Sequence, residues 1–225
     1  MANAVIFLAA GSGSRIKETI DDKLLYLFKG KTVFSYSLEA FKNTHLIDTW
    51  VVVYRDEKQK QALESEVDFS GLNVLWVLGG KERQDSVFLG LKALAESTEV
   101  VYIHDCARLL IRPETLKALH EEVLKNDAVV LGKPAVNTIK EVMGNKIERH
   151  LKRALLWEVE TPQVFRFQKI KKAYEKIQDE DKCFTDDAEV AGFSGIPVSV
   201  LLNPFPNPKL TRSTDIPIIV SLMKE

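Results

Sequence analysis

The chain has 225 residues, with 31 Lys and Arg against 32 Asp and Glu, a formal net charge of −1. Hydrophobic residues make up 45% and charged residues 28%, a globular balance that supplies a sizeable core and excludes long disorder. At about 150 residues per domain the length fits a single domain spanning residues 1–225 with an appendage, and the even charge removes the warrant for nonspecific binding to nucleic acid or to a membrane surface.

The N-terminal stretch has no basic segment before its apolar run, which is far shorter than the ~20 residues that span a bilayer. Only two cysteines occur, Cys106 and Cys183, and no Cys/His spacing suits zinc. A soluble, cytoplasmic protein is expected. Ala4-Val5-Ile6-Phe7-Leu8 ends in Ala9-Ala10-Gly11-Ser12-Gly13, the pattern of a buried strand entering a Gly-rich turn. Helix is predicted over residues 34–42, strand over 50–54, helix over 57–66, strand over 74–78 and helix over 83–95. Strand follows over 100–103, helix over 113–125 with Pro113 at a favoured first position, and strand over 128–131. Alternation of this kind predicts an α/β fold, a mostly parallel sheet with helices on both faces.

The rhythm breaks over residues 134–163, where segments 137–142 and 146–149 flank Met143-Gly144-Asn145 as in a β-hairpin; this is the candidate arm. Helices are predicted over 168–178 and 186–192, a strand over 198–202, and a last helix from about Ser213.

The turn Gly11-Ser12-Gly13-Ser14-Arg15 lies where an α/β sheet places ligands, outside the carboxyl ends of its strands. Glycines let backbone N–H groups approach a phosphate, although the same turn could serve chain reversal alone. It is neither a Walker loop nor a full dinucleotide fingerprint, since no Gly-Lys-Ser/Thr follows and the third glycine is missing. Arg15 and Lys23 follow closely, and two cations beside a phosphate nest suit a triphosphate; as isolated charges they would be solvated. Gly79-Gly80-Lys81-Glu82-Arg83-Gln84-Asp85-Ser86 forms a second Gly-lined helix entrance. His104-Asp105-Cys106-Ala107-Arg108 ends the fourth main strand at the same edge. Asp105 and Arg108 could form a structural ion pair, Cys106 be a small buried residue, and His104 pack at the strand end.

Together with Thr161-Pro162-Gln163, Thr185-Asp186-Asp187 and Asn207-Pro208-Lys209-Leu210-Thr211, these segments resemble the 2-C-methyl-D-erythritol 4-phosphate cytidylyltransferases of the non-mevalonate isoprenoid pathway. The likeness runs from Ile6 to about Asp215 and is shared in many motifs by ribitol-5-phosphate cytidylyltransferases. It implies a Rossmann-like sheet and a homodimer whose protruding β-hairpin arm, at about 134–163, reaches the neighbouring subunit's site. By the resemblance, Ala9, Ala10, Gly11, Gly13, Gly80, Ser86, Ala107 and Arg108 would line the CTP pocket, with cytosine read near Gly80 and Ser86. The catalytic cations would be Arg15, Lys23, Arg153 and Lys209. Asp105, Thr138, Thr161 and Thr185 would bind the acceptor, Thr138 and Arg153 coming from the partner's arm. Thr185 or Asp186 could equally cap a helix, and Arg153 and Lys209 could be solvated.

The sequence departs from the family pattern in placing Asp22-Lys23-Leu24 where Pro-Lys-Gln is usual, Leu109 where proline follows Arg108, and Pro208 before Lys209. An acceptor phosphate monoester, largely dianionic at neutral pH, needs no general base, in keeping with four histidines that show no partnered catalytic pattern. Mg²⁺ would bridge triphosphate oxygens, with no metal ligand assigned. A CTP-binding regulatory protein without catalysis is the alternative of a different class.

Overall fold

The computed structural model describes residues 2–11 and 22–223. In chain order the elements are β1 (Ala2–Leu8), β2 (Leu27–Phe28), β3 (Lys31–Thr32), α1 (Val33–Lys42), β4 (Thr49–Tyr54), α2 (Glu57–Glu66), β5 (Val74–Leu78) and α3 (Arg83–Lys92). They continue with β6 (Thr98–Asp105), α4 (Pro113–Asn126), β7 (Ala128–Pro134), β8 (Lys140–Met143), β9 (Lys146–His150), a 3₁₀ turn (Arg153–Leu155) and β10 (Trp157–Arg166). Last come α5 (Phe167–Lys176), a second 3₁₀ turn (Ile177–Asp179), α6 (Asp187–Phe193), β11 (Ser199–Leu202) and α7 (Asp215–Leu222).

A seven-stranded sheet in the order β11-β7-β10-β6-β1-β4-β5 forms the centre, and only β10 pairs antiparallel with its neighbours. The expected α/β class is borne out, hairpin included, since β8 and β9 pair antiparallel. Continuous apolar runs are required because both faces of the sheet are covered. Along β1, Val5 and Phe7 enter one core with Phe34 and Phe41 of α1, Leu63 of α2, Leu116 and Leu119 of α4 and Ile219 of α7. Ala4 and Ile6 point the other way, into a second core with Val87 and Leu91 of α3, Ile170 and Tyr174 of α5 and Val190 of α6. Among the described residues no helix is long and apolar enough to cross a membrane.

The expectation of one arm over residues 134–163 needs correction at its C-terminal end, where β10 is a central strand between β6 and β7. Its polar run Glu160-Thr161-Pro162-Gln163 hides the apolar signature of a buried strand, yet Glu160, Thr161 and Gln163 are all buried. Each has partners: Glu160 accepts hydrogen bonds from Asn203 (2.8 Å) and Asn207 (3.1 Å), and Gln163 donates to Asp186 (2.9 Å). The β10–β7 register shifts between Glu160 and Gln163, where Pro162 has no N–H to give the ladder.

His104, near the carboxyl end of β6, is wholly buried between the rings of Phe7 and Phe41, with Nδ1 3.3 Å from the Thr161 hydroxyl. Burial pushes its pKa down from 6.5 to about 3, so the folded protein holds it neutral. Between those two values the unfolded chain binds the proton and the native state does not, so stability present above 6.5 is lost as the pH falls. Over that window His104→Leu is expected to lose less stability than wild type, by up to about 1.4 kcal/mol per pH unit, measured as urea unfolding free energy at pH 7 and pH 5. Equal acid sensitivity of the two proteins would refute the assignment.

Candidate functional site

The adjacent carboxyl ends of β1 and β6, the entrance of α3 and the segment after β11 surround a cavity of about 280 Å³. Ala9, Ala10 and Gly11 line it from the turn after β1, Lys23 from the next segment, and Gly80, Arg83 and Ser86 from the α3 entrance. Asp105 and Ala107 contribute from the end of β6, and Lys209 from the segment before α7. The glycines before α3 are needed for close approach: a Cβ on Gly79 would stand 2.6 Å from that of Ala10, and one on Gly80 would stand 2.3 Å from that of Asp85. The Gly80 amide donates to the Ser86 hydroxyl (3.0 Å), and a capping box joins Glu82 and Asp85.

The unusual neighbours of Lys23 anchor it. Asp22 accepts from the Leu24 amide (2.9 Å) and from Gln59 Nε2 (2.6 Å), with Arg55 3.3 Å away. Leu24 is buried in the core. Gln59 also donates to the Ala9 carbonyl (3.1 Å), tying the lysine segment to the turn after β1. Lys23 itself donates to the Leu210 carbonyl (3.2 Å), so it reaches the cavity wall that carries Lys209.

A four-membered charge cluster forms the deeper side. Lys209 Nζ lies 2.6 Å from Asp105 Oδ2, and Arg83 Nε lies 3.4 Å from Asp105 Oδ1. The Arg83 fork holds Asp187 through two bonds of 3.0 and 2.8 Å, and Tyr174 donates to Asp187 at 2.6 Å. Burial opposes ionisation of Asp105, but Arg83 first and then Lys209 hold its carboxyl well below the usual range. Burial likewise disfavours the Arg83 charge, and Asp187 and Asp105 outweigh it, raising the guanidinium well above its ordinary value. Burial and Asp187 push the Tyr174 hydroxyl up, so it stays a donor.

Of the residues expected from the sequence, Ala9, Ala10, Gly11, Lys23, Gly80, Ser86, Asp105, Ala107 and Lys209 thus meet at one cavity. Gly13 and Arg15 lie outside the described residues. Thr161 sits behind the cavity wall, buried, and accepts from the Asp105 amide (3.1 Å). Arg108 donates to the Asn207 carbonyl (2.7 Å); rather than lining the pocket it grips the segment leading to Lys209. Thr138 and Arg153 are exposed on the arm, where Arg153 donates to the Val136 carbonyl (3.1 Å). Thr185 is exposed and donates to Glu189 (2.9 Å), while Asp186 caps α6. Sequence reasoning passed over Arg83 and Asp187 as site residues, because their pairing joins positions 104 residues apart; the signal available was an acid in the Thr185-Asp186-Asp187 motif with no stated partner. Among the described residues no cluster of three His, Cys, Asp or Glu side chains could hold a metal ion; of the two carboxylates lining the cavity, Glu82 and Asp105, the latter is already engaged by two cations.

A 2-C-methyl-D-erythritol 4-phosphate cytidylyltransferase of Prochlorococcus marinus is 33% identical over 220 residues, covering 97% of this chain and 96% of that protein. One of Caldicellulosiruptor bescii is 34% identical over 225 residues, covering 100% and 99%. The crystal structure of 4-diphosphocytidyl-2C-methyl-D-erythritol synthase from Anaerococcus prevotii superposes with a TM-score of 0.84 at 26% identity, covering 100% of this chain and 99% of that one. The family model for 2-C-methyl-D-erythritol 4-phosphate cytidylyltransferase matches residues 3–225, and with a Gly-lined cavity flanked by Lys23 and Lys209 at the sheet edge, the chain belongs to that family.

Proposed function

We propose that this protein joins CTP to 2-C-methyl-D-erythritol 4-phosphate, giving 4-diphosphocytidyl-2-C-methyl-D-erythritol and pyrophosphate. The observation that carries the reading is the meeting of Lys23 and Lys209 with the glycine-lined turns at one cavity. An oxygen of the acceptor phosphate attacks the α-phosphorus of CTP, and the bond to the β-phosphate oxygen breaks as pyrophosphate leaves. Two polyanions must meet, so cations are the principal catalytic resource: unit charges about 4 Å apart interact by ~4 kcal/mol at an effective dielectric of 20.

In this reading the backbone of Ala9, Ala10, Gly11 and Gly13 cradles the triphosphate, Gly80 and Ser86 read cytosine, and Ala107 closes the pocket. Arg15 and Lys23 neutralise the reacting phosphates. Lys209 and Arg153 of the partner subunit hold the acceptor phosphate, while Asp105, Thr185 and the partner's Thr138 take its hydroxyls. Thr161 and Arg108 support Asp105 and Lys209 from behind. Mg²⁺ would be carried by the nucleotide's own phosphate oxygens, since the described residues offer it no preformed cluster of carboxylates. A cytoplasmic location and a homodimer complete the reading. The dimer is supported by apolar side chains left open along the arm and its base, Val136 (77% exposed), Met143 (73%) and Leu155 (75%).

Pyrophosphate release from CTP is expected to be faster with methylerythritol phosphate than with ribitol 5-phosphate; the reverse order would reassign the acceptor. Tight CTP binding with no release from either would make the protein a regulatory module. Lys23→Ala is expected to lower kcat by about 10²–10³ with the melting temperature retained, and near-normal turnover would remove Lys23 from the mechanism. If Arg153 acts across the subunit boundary, a mixture of Arg153→Ala and Lys209→Ala proteins, dissociated and reassociated together, should be more active than either parent. Activity no higher than the parents' would place Arg153 outside the partner's site.

A further inference from the structure

We propose that Arg83, clamped by Asp187, is a positioning residue for the acceptor: it sets the orientation of the Asp105 carboxylate and so links the nucleotide-reading end of α3 to the acceptor side of the cavity. This rests on the reading of Asp105 as the acceptor for substrate hydroxyls.

Arg83 is the first residue of α3, directly after the entrance that carries Gly80, and Ser86 lies in the same first turn. Its two terminal nitrogens are committed to Asp187, whose carboxylate is fully buried and takes a third bond from Tyr174. A buried carboxylate loses much if either partner leaves, so this fork is fixed in direction. The remaining Nε–H then faces Asp105 Oδ1 at 3.4 Å, while Lys209 takes Oδ2 at 2.6 Å. Asp105 is therefore held from both sides, with lone pairs of Oδ1 still available on a carboxylate that lines the cavity. Without Arg83 only Lys209 would hold it, and the carboxylate could turn with that flexible side chain. A separate contact points the same way: Gln84, next on α3, grips the chain just before Thr185, donating to the Lys182 carbonyl (3.2 Å) and accepting from the Phe184 amide (2.8 Å). The first turn of α3 thus fastens two elements of the acceptor side while its entrance forms the nucleotide side.

The charged and titratable groups around Asp105 are Arg83 from α3, Lys209 from the segment before α7, and His104, Cys106 and Arg108 from its own strand end and turn; β10 offers the neutral Thr161. Removing Arg83 takes away the foremost of the charges holding the Asp105 carboxyl low, so its protonation moves toward higher pH.

The test is pyrophosphate release with CTP and methylerythritol phosphate across pH for wild type, R83Q and R83K, with CTP Kd measured by calorimetry. R83Q is expected to raise acceptor KM by about ten-fold or more, leave CTP Kd unchanged, and steepen the acid side of the kcat/KM profile as Asp105 protonates alongside the substrate phosphate. R83K keeps the charge without the fork and should fall between R83Q and wild type. Equal loss of CTP affinity and acceptor affinity, or an unchanged acceptor KM and acid limb, would overturn the proposal. Should R83Q fail to fold, the same split or its absence in R83K decides. A wild-type protein that turns over no alditol phosphate would instead refute the proposed reaction, before any variant is compared.

Discussion

The Asp105 carboxylate, held between Arg83 and Lys209 at the edge of the sheet, is the interaction on which the site depends. Two acids, Asp105 at the cavity edge and the fully buried Asp187, and two cations form a balanced set. Such groups contribute little net stability once desolvation is counted, but breaking one pair leaves an uncompensated buried charge. The arrangement therefore specifies position: α3, the end of β6, the start of α6 and the segment of Lys209 can satisfy these charges together in one relative placement.

The scaffold makes that placement stiff. Parallel strands β1 and β6 end at the same edge, and apolar cores on both faces fix the sheet. Around the cluster, polar contacts hold each loop from a second direction. Glu160, buried in β10, binds Asn203 and Asn207 and pairs with Lys133. Arg108 holds the Asn207 carbonyl, and the Leu210 amide donates to the Ala107 carbonyl (2.8 Å). Lys209 is thus flanked by fixed backbone although Pro208 removes one donor. Asp22 and Gln59 do the same for Lys23, with Leu24 as an apolar peg. Departures from the family pattern around Lys23 are in this way compensated locally, since a capped, anchored turn replaces the proline.

Much of this was legible in the sequence. The alternation of apolar runs with 3.6-residue periodicity gave the parallel sheet, and the glycine pair at 79–80 marked where backbone must approach closely. The Asp22-Lys23-Leu24 triplet departs from the family pattern, and in the fold the hydrogen-bonded Asp22 and the buried Leu24 anchor the chain on either side of the lysine. β10 escaped because three polar residues and a proline in its middle mimic a loop, and only the partners of those polar residues on other elements make them fit for burial. Arg108 was expected in the pocket for its place in the motif, yet motif position does not say which way a side chain leaves a turn.

By itself, then, the sequence determined the layer architecture and the edge at which ligands gather, because burial periodicity and glycine requirements are local properties written within a few residues. The tertiary structure alone decided which charges face one another. The Arg83–Asp187 fork and the Lys209–Asp105 pair each close a loop of 104 residues, and a charge pairing across that distance leaves no local trace: it exists only once the sheet has brought the ends of its strands together and desolvation has made every unpaired alternative costly.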